Sequence, residues 1–306
     1  MQKLRIVIVN WNAGQQLADC VVSILGSQQN NFVFEKIIIV DNASTDNSLD
    51  LLPQNNKMHI IRNSQNYGFG KACNLGAKVY GSADLLLFLN PDTILKLDTL
   101  DISIKFYNEN AKKMRFGILG VKLVYDDGSI QKSCSRFPSV KSEVFDSTGL
   151  SKLFPATSSH MNEFSHHSSR FVEQIMGAYF LTSNPLFERL GGFDESFFVY
   201  YEEVDFSYRA RGLGYNSYFL ADVSAVHVGG GCSRQVKAKR LFYSLNSRLI
   251  YVSKHFSKMD SIIVYVLTLI IEPCTRIAFS LLKGSVSGVK ETIEGYIMLY
   301  KKLLAK

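Results

Sequence analysis

The chain has 306 residues, of which 46% are hydrophobic and 20% charged, a balance that excludes intrinsic disorder and leaves room for one large domain or two. Its formal net charge of +7 suits anionic partners, whether nucleotide phosphates, nucleic acid or an acidic lipid surface. The cysteines Cys20, Cys73, Cys134, Cys232 and Cys274 are scattered with no Cys-x-x-Cys pair. This excludes a zinc ribbon or thioredoxin-type site and reads as reduced core residues in a cytosolic setting.

Ile6–Val9 is a short β-branched run that predicts a strand, and it is too short for a signal-peptide core, so export is not expected. Leu17, Cys20, Val21, Ile24 and Leu25 recur at helical spacing. Lys36–Val40 predicts a second strand ending in Asp41-Asn42, and Ser44-Thr45-Asp46 reads as the cap of a helix through Leu49 and Leu52. His59–Arg62 predicts a third strand, Gly70–Tyr80 a helix and Asp84–Leu89 a fourth strand. This alternation predicts right-handed βαβ units: an α/β fold with a Rossmann-like, mostly parallel sheet and helices on both faces. Ligands of such sheets bind beyond the carboxyl ends of the strands. Those ends carry Asn10-Trp11-Asn12, Asp41-Asn42 and Asn90-Pro91-Asp92.

Gly117–Tyr125 predicts a further strand pair with a turn at Asp126-Asp127-Gly128. Ser133–Ser169, rich in serine and carrying His160, His166 and His167, reads as a long loop or lid. Gln174–Leu181 predicts a strand, Pro185–Leu190 a short helix closed by Gly191-Gly192, Glu202–Gly212 a helix and Tyr215–Val228 strands. Beyond Ser233, lysines and arginines stand among apolar residues in a long helical pattern. Ile262–Ile271, the uninterrupted part of an apolar stretch broken by Glu272, Pro273 and Arg276, is about half of the ~20 residues that a spanning helix needs. An interfacial helix or re-entrant hairpin is expected, followed by a basic amphipathic stretch over Lys290–Lys306. The expected organisation is an α/β domain over 1–233 and a basic, membrane-associating helical tail over 234–306. No groove-reading motif accompanies the basic residues, so nucleic acid is not an expected partner.

Three polar clusters carry the chemistry, each with a plain structural reading beside it. Asp41 can accept hydrogen bonds from a ribose or a pyrimidine N–H, or simply cap the following segment. Asp92, on a turn after the fourth strand, can hold a divalent cation against a diphosphate, or belong to an ordinary Asn-Pro-Asp turn. The acids between Glu195 and Asp205 lie among aromatic residues, where desolvation raises the pKa of a carboxylate and its strength as a base. The same acids suit a solvated helix start favoured by the macrodipole.

The joint order of the motifs resolves these ties. Ile8-Val9-Asn10-Trp11-Asn12, Val40–Asp46, Asn66-Tyr67-Gly68-Phe69-Gly70, Asn74-Leu75-Gly76, Phe88–Asp92, Gly191–Glu195 and Tyr201–Asp205 together resemble family 2 of the nucleotide-sugar glycosyltransferases, in its bacterial rhamnosyltransferase-like branch. The resemblance covers roughly Leu4–Ser233 and implies a catalytic domain of GT-A fold over 1–233, with a nucleotide-binding half over 1–115 and an acceptor-binding half over 116–233. It places Asp41 at the nucleoside base beside Val9 and Asn10, with Asn42, Asn66, Gly70 and Asn74 bordering the nucleotide. Asp92 matches the last acid of the family's Asp-x-Asp metal motif, where this chain has Asn90 in place of the first. His227 matches a late histidine that completes the metal site of related enzymes; before Gly229-Gly230-Gly231 it would otherwise read as loop structure. The general base of the family aligns with Glu203, with Glu202 and Asp205 as the next candidates.

The same resemblance implies an inverting transfer, with Mg²⁺ or Mn²⁺ as the cofactor. The sugar, rhamnose or a similar hexose, moves from a nucleoside-diphosphate donor to a lipid-linked or polysaccharide acceptor of a bacterial surface glycan. The expected location is the cytoplasmic membrane face. Asn90 and Glu203, both departures from the commonest motif, leave a catalytically inactive nucleotide-sugar-binding subunit as the alternative.

Overall fold

The computed structural model describes residues 1–79, 83–229 and 237–305. The chain runs β1 (Gln2–Asn10), α1 (Gln15–Leu25), β2 (Phe32–Asp41), β3 (Met58–Arg62), α2 (Phe69–Lys78), β4 (Leu85–Leu89), β5 (Thr93–Leu95) and α3 (Thr99–Met114). It continues through β6 (Phe116–Val124), β7 (Ile130–Gln131), β8 (Cys134–Ser135), α4 (Val140–Thr148), β9 (Arg170–Val172), β10 (Gln174–Ile175), β11 (Tyr179–Ser183), α5 (Asn184–Arg189), α6 (Glu202–Gly212) and β12 (Asn216–His227). The last helices are α7 (Lys237–His255), α8 (Lys258–Val266), α9 (Glu272–Leu282) and α10 (Val286–Leu304). Contacts divide the chain into two compact units: 1–135, 165–195 and 202–232 form one, and 136–164, 196–201 and 233–306 the other.

The first unit is built on a ten-stranded sheet whose main path is β3-β2-β1-β4-β11-β6-β12-β5, with β7 and β9 at its margins. β3, β2, β1 and β4 are mutually parallel, whereas β11 runs antiparallel to β4 and β6. β1, β2 and β4 read as nearly continuous apolar runs because both faces of these strands are buried. Leu17, Cys20, Val21 and Ile24 form the buried face of α1 and pack against them. Arg5 is the polar exception. It is buried in β1, where its guanidinium meets Glu35 at 2.7 and 2.8 Å and also donates to the carbonyl of Ala77.

Two expectations over this region change. Residues 44–52 form turns rather than a helix. Ser44, Asp46 and Ser48 spend their side chains on Asn10, Asn12 and Gly14 (2.8–3.0 Å), so local capping gives way to contacts across the loop. The 133–169 segment is also more ordered than a loop. His166 is fully buried and accepts from the N–H groups of Ser133 and Cys134, both at 3.2 Å. The hairpin at 126–128, the helix over 202–212 and the short helix before Gly191 form where the sequence places them. Cys20, Cys73 and Cys134 are buried thiols; Cys274 is exposed, contrary to the core reading, and Cys232 lies outside the described residues.

In the second unit, Leu245, Leu249, Tyr296 and Leu299 join α7 to α10. Gly295 permits the close approach, since a Cβ there would lie 3.0 Å from Leu241. α4, opened by a Ser139–Ser142 capping box, belongs to this unit. Thr275 donates to the carbonyl of Ser147 at 2.7 Å, and the buried Arg248 lies between Glu143 and Glu272. The segments 136–164 and 196–201 thus pack with the tail, which a division at 233/234 does not anticipate; that boundary itself lies outside the described residues.

Lys258–Leu282 is a single helical run of 25 residues, long and apolar enough to cross a membrane by length and composition. Of the two expected forms, one continuous helix replaces the re-entrant hairpin. Pro273 sits in the first turn of α9, directly after a π-helical stretch over Leu267–Ile271. That widened turn accommodates the missing proline N–H without ending the helix.

Candidate functional site

The polar clusters gather at the carboxyl ends of β1, β2 and β4, all within the first unit. Asn10 and Asp41 are adjacent in register, and the Asn10 amide shares its Nδ2 among Asp41 Oδ1 at 2.7 Å, Ser48 Oγ at 2.8 Å and Ser44 Oγ at 3.0 Å. Its own Oδ1 is buried without a partner. Val9, one residue earlier, pairs with Val40. The Asn42 N–H donates to the Asn10 carbonyl at 2.8 Å. Its side chain reaches the Gly68 carbonyl at 3.1 Å and so ties β2 to the start of α2.

α2 opens on Gly68 at φ 86° with no side-chain cap, and Asn66 accepts from the Gly68 N–H at 2.9 Å. Its first-turn N–H groups favour a negatively charged ligand. Gly70 lies against the next element: a Cβ there would meet Phe193 at 3.4 Å and Glu202 at 3.5 Å. Asn74, expected to border the nucleotide, uses both ends of its amide on the backbone of Phe193, at 2.8 and 2.9 Å. It clasps the Gly191–Glu195 turn onto α2.

At the end of β4, the Asn90 N–H donates to Ala178 in the strand's antiparallel neighbour segment. His227, at the end of β12, brings Nε2 to 3.2 Å from Asp92 Oδ1 and 3.4 Å from Asn90 Nδ2. Its Nδ1 lies 2.6 Å from Gln131 Oε1. An amide oxygen can only accept, so this contact suits the tautomer with its proton on Nδ1, and it turns Nε2 toward the Asp92 carboxylate. Gln131 is a site residue that no sequence motif marks. It lies in a two-residue strand, and only the pairing of β7 with β6 brings it here. Among the described residues, no group of three metal-ligating side chains occurs; Asp92 and His227 form a pair.

Three acids begin α6, and their environments separate them. Asp205 is fully buried and ion-paired with Arg209 at 2.6 Å; the same guanidinium donates to the carbonyls of Leu190 and Gly192. Asp205 thus pairs with the arginine that holds the Gly191-Gly192 turn. Glu202 and Glu203 instead each leave one buried carboxylate oxygen without a hydrogen-bond partner. Burial pushes Glu203 up to about 7, and burial together with the charge of Glu203 holds Glu202 well above the usual carboxylate range. α6 itself is seated on an apolar cluster through Phe206. Phe88, Phe180, Phe187, Phe193 and Phe206 pack with ring centroids 4.9–6.4 Å apart. The two residues preceding Glu202, Tyr200 and Tyr201, both have positive φ (69° and 71°), a conformation that costs a bulky side chain about 1–3 kcal/mol and concentrates at functional sites.

Comparison with known proteins bears on the family and the fold. Residues 5–133 match the sequence pattern of Glycosyl transferase family 2. The chain is similar to the low-salt glycan biosynthesis hexosyltransferase Agl10 of Haloferax volcanii, at 26% identity over 74% of this chain and 67% of that protein. It is likewise similar to the N-acetylglucosaminyl-diphospho-decaprenol L-rhamnosyltransferase of Mycobacterium tuberculosis, at 24% identity over 83% and 85%, and to the rhamnosyltransferase WbbL of Escherichia coli, at 26% over 61% and 71%. Among solved structures, a mannosyltransferase from Pyrobaculum calidifontis in complex with GDP-Man and Mn²⁺ superposes with a TM-score of 0.55 and 13% identity, over 97% of this chain and 80% of that one. GalNAc-T7 with UDP, GalNAc and Mn²⁺ gives 0.56 and 16%, over 74% of this chain but only 43% of its own. At these identities the structures establish the fold, GT-A, and nothing finer.

The different situations of the acids predict opposite effects on stability. Asp205→Asn breaks a buried pair and should cost about 3 kcal/mol or more, whereas Glu203→Gln removes a carboxylate with a buried, unpartnered oxygen and should leave stability unchanged or higher. Urea unfolding followed by circular dichroism reads both; equal losses for the two variants would contradict the assignment.

Proposed function

Since this chain carries a Glycosyl transferase family 2 domain on a GT-A fold and is a glycosyltransferase, we propose that it transfers rhamnose or a similar hexose, with inversion, from a nucleoside-diphosphate donor to a lipid-linked glycan acceptor at a membrane surface. The observation that carries the reading is the pair of adjacent acids, Glu202 buried and Glu203 half-buried, each with one buried oxygen unpartnered, with Glu202 beside the uncapped start of α2. Named relatives are enzymes, and two are rhamnosyltransferases; an inactive assembly subunit therefore has less support than a transferase.

Asp41, Asn10 and the Asn42 backbone hold the nucleoside. The N–H groups at the start of α2 face the diphosphate, whose negative charge they favour. Glu203 takes the proton of an acceptor hydroxyl while that oxygen forms its bond to the anomeric carbon. The bond from that carbon to the donor phosphate breaks, its electron pair leaving with the diphosphate on the opposite face. One displacement inverts the configuration. Glu203 is the first choice for the base because its pKa of about 7 matches proton transfer near neutral pH; Glu202, held higher, stays protonated and keeps the pair from carrying two charges.

Asp92 and His227 fit a divalent cation. Gln131 fixes the imidazole so that Nε2 and the Asp92 carboxylate converge at 3.2 Å, an arrangement that a cation between them would stabilise. Mg²⁺ or Mn²⁺ held there would neutralise the departing diphosphate. Membrane contact rests on the Lys258–Leu282 helix, which exposes Ile262, Val266, Ile270, Leu281 and Leu282, and on lysines at both of its ends.

Three outcomes test this reading. Glu203→Gln should lower kcat by ~10²–10⁴-fold. Because the base acts as the carboxylate, wild-type kcat/KM should fall as pH drops through about 7 and lie flat above it; a variant with near-normal turnover would remove Glu203 from the role. Gln131→Leu should raise the Mn²⁺ concentration needed for half-maximal transfer by about 10–100-fold, and an unchanged requirement would exclude the His227 site. Replacing Ile262 and Ile270 by Glu should move the protein from the membrane to the soluble fraction on sedimentation; full retention would place the contact elsewhere.

A further inference from the structure

The second unit contains a cavity of about 670 Å³ between α4, α7, α9 and α10 that the transfer mechanism does not use. Its walls present five cationic side chains, Lys152, Lys237, Arg240, Arg276 and Lys283, against three carboxylates. The acids are largely engaged. Glu272 pairs with Arg248 and Arg276, and Glu291 lies 3.4 Å from Lys237. Arg240 and Lys283 have no ion-pair partner among the described residues. Lys152 is held over the ring of Phe279, with its ammonium 3.9 Å from the centroid, which keeps that charge at the cavity wall.

Two further features point to an anion. The 19-residue α10 begins at this cavity, with Ser285 and Gly288 in the lining, so the positive end of its dipole adds to the side-chain charge. Ser147, also in the lining, is 3% exposed, and its hydroxyl has no hydrogen-bond partner. A buried hydroxyl left unpaired is costly, and a phosphate oxygen would satisfy it.

The surroundings indicate where that phosphate comes from. Lys283 is preceded by Leu281 and Leu282, with Val286 shortly beyond it, and these three apolar side chains are 64–83% exposed. Cations beside exposed apolar residues at the end of an apolar helix suit a headgroup, with its acyl chains lying against the helix. We propose that this cavity binds the phosphate of an anionic phospholipid headgroup, with Arg240, Lys283 and Ser147 as its contacts. The proposal rests on the membrane reading above and gives it lipid selectivity.

The test uses the full chain and vesicles of phosphatidylcholine, with or without phosphatidylglycerol. Arg240→Gln combined with Lys283→Gln should reduce the preference for phosphatidylglycerol vesicles by about thirtyfold, from ~1 kcal/mol per cation, with binding to neutral vesicles unchanged. Lys290→Gln with Lys301→Gln, which removes the same charge outside the cavity, should change it only a few-fold. Equal losses from the two pairs would overturn the site in favour of diffuse attraction. Soluble dihexanoyl phosphatidylglycerol provides an arm independent of vesicle binding: it should raise the Tm of the wild type and not of Ser147→Ala. An equal rise with inorganic phosphate, or none with the lipid, would refute a headgroup site. Failure of the chain to bind any vesicle would count against the membrane reading, and the soluble-lipid arm would then still decide the cavity.

Discussion

The stretches Ile6–Val9, Ile37–Val40 and Leu85–Leu89 of the parallel strands β1, β2 and β4 are buried on both faces and carry no polar side chain. Everything chemical must therefore sit where they end. The hydrogen bonds from Asn10 to Asp41 and from Asn42 to Asn10 and Gly68 turn that restriction into a site. They lock the strand ends to each other and to the uncapped helix start that faces them. Short polar side chains make these ties more rigidly than a longer loop could.

The second determinant is the phenylalanine floor under α6. It seats α6 through Phe206 and fixes the Gly191–Glu195 turn through Phe193, while burial raises the pKa of both Glu202 and Glu203. Nearby acids of similar sequence context end in opposite roles. Asp205 points to Arg209 and stabilises the turn, whereas Glu202 and Glu203 keep buried oxygens open. A carboxylate's function here depends on whether a cation reaches it, because desolvation raises its pKa only when no opposite charge offsets the burial.

The tail combines the features of a membrane-contacting surface with those of a packed unit. Arg248 lies buried between Glu143 and Glu272, and Thr275 holds the carbonyl of Ser147, so α4 and the apolar helix are joined by polar contacts that have strict geometry. Breaking such a buried network leaves uncompensated charge, which ties the integrity of the apolar helix to a segment more than a hundred residues earlier in the chain.

Much of this was legible in the sequence. Strand runs such as Ile6–Val9 and Leu85–Leu89 declare themselves by composition, because a strand buried on both faces tolerates nothing else, and the order of the polar motifs placed Asp41, Asp92 and Glu203 beyond strand ends or at a helix start. Local pattern failed where distant partners compete for the same side chains. Ser44 and Asp46 look like caps but bond to the loop after β1, Pro273 looks like a helix break but follows a π turn, and Gln131 carries no signal until β7 pairs with β6. Periodicity and side-chain chemistry are local properties, so the α/β alternation and the residues at the strand ends could be read from the unfolded chain. Hydrogen bonds and desolvation depend on neighbours that meet only on folding. The acid that stays unpaired, the histidine nitrogen that faces Asp92 and the cations that line a cavity were therefore set by the folded arrangement.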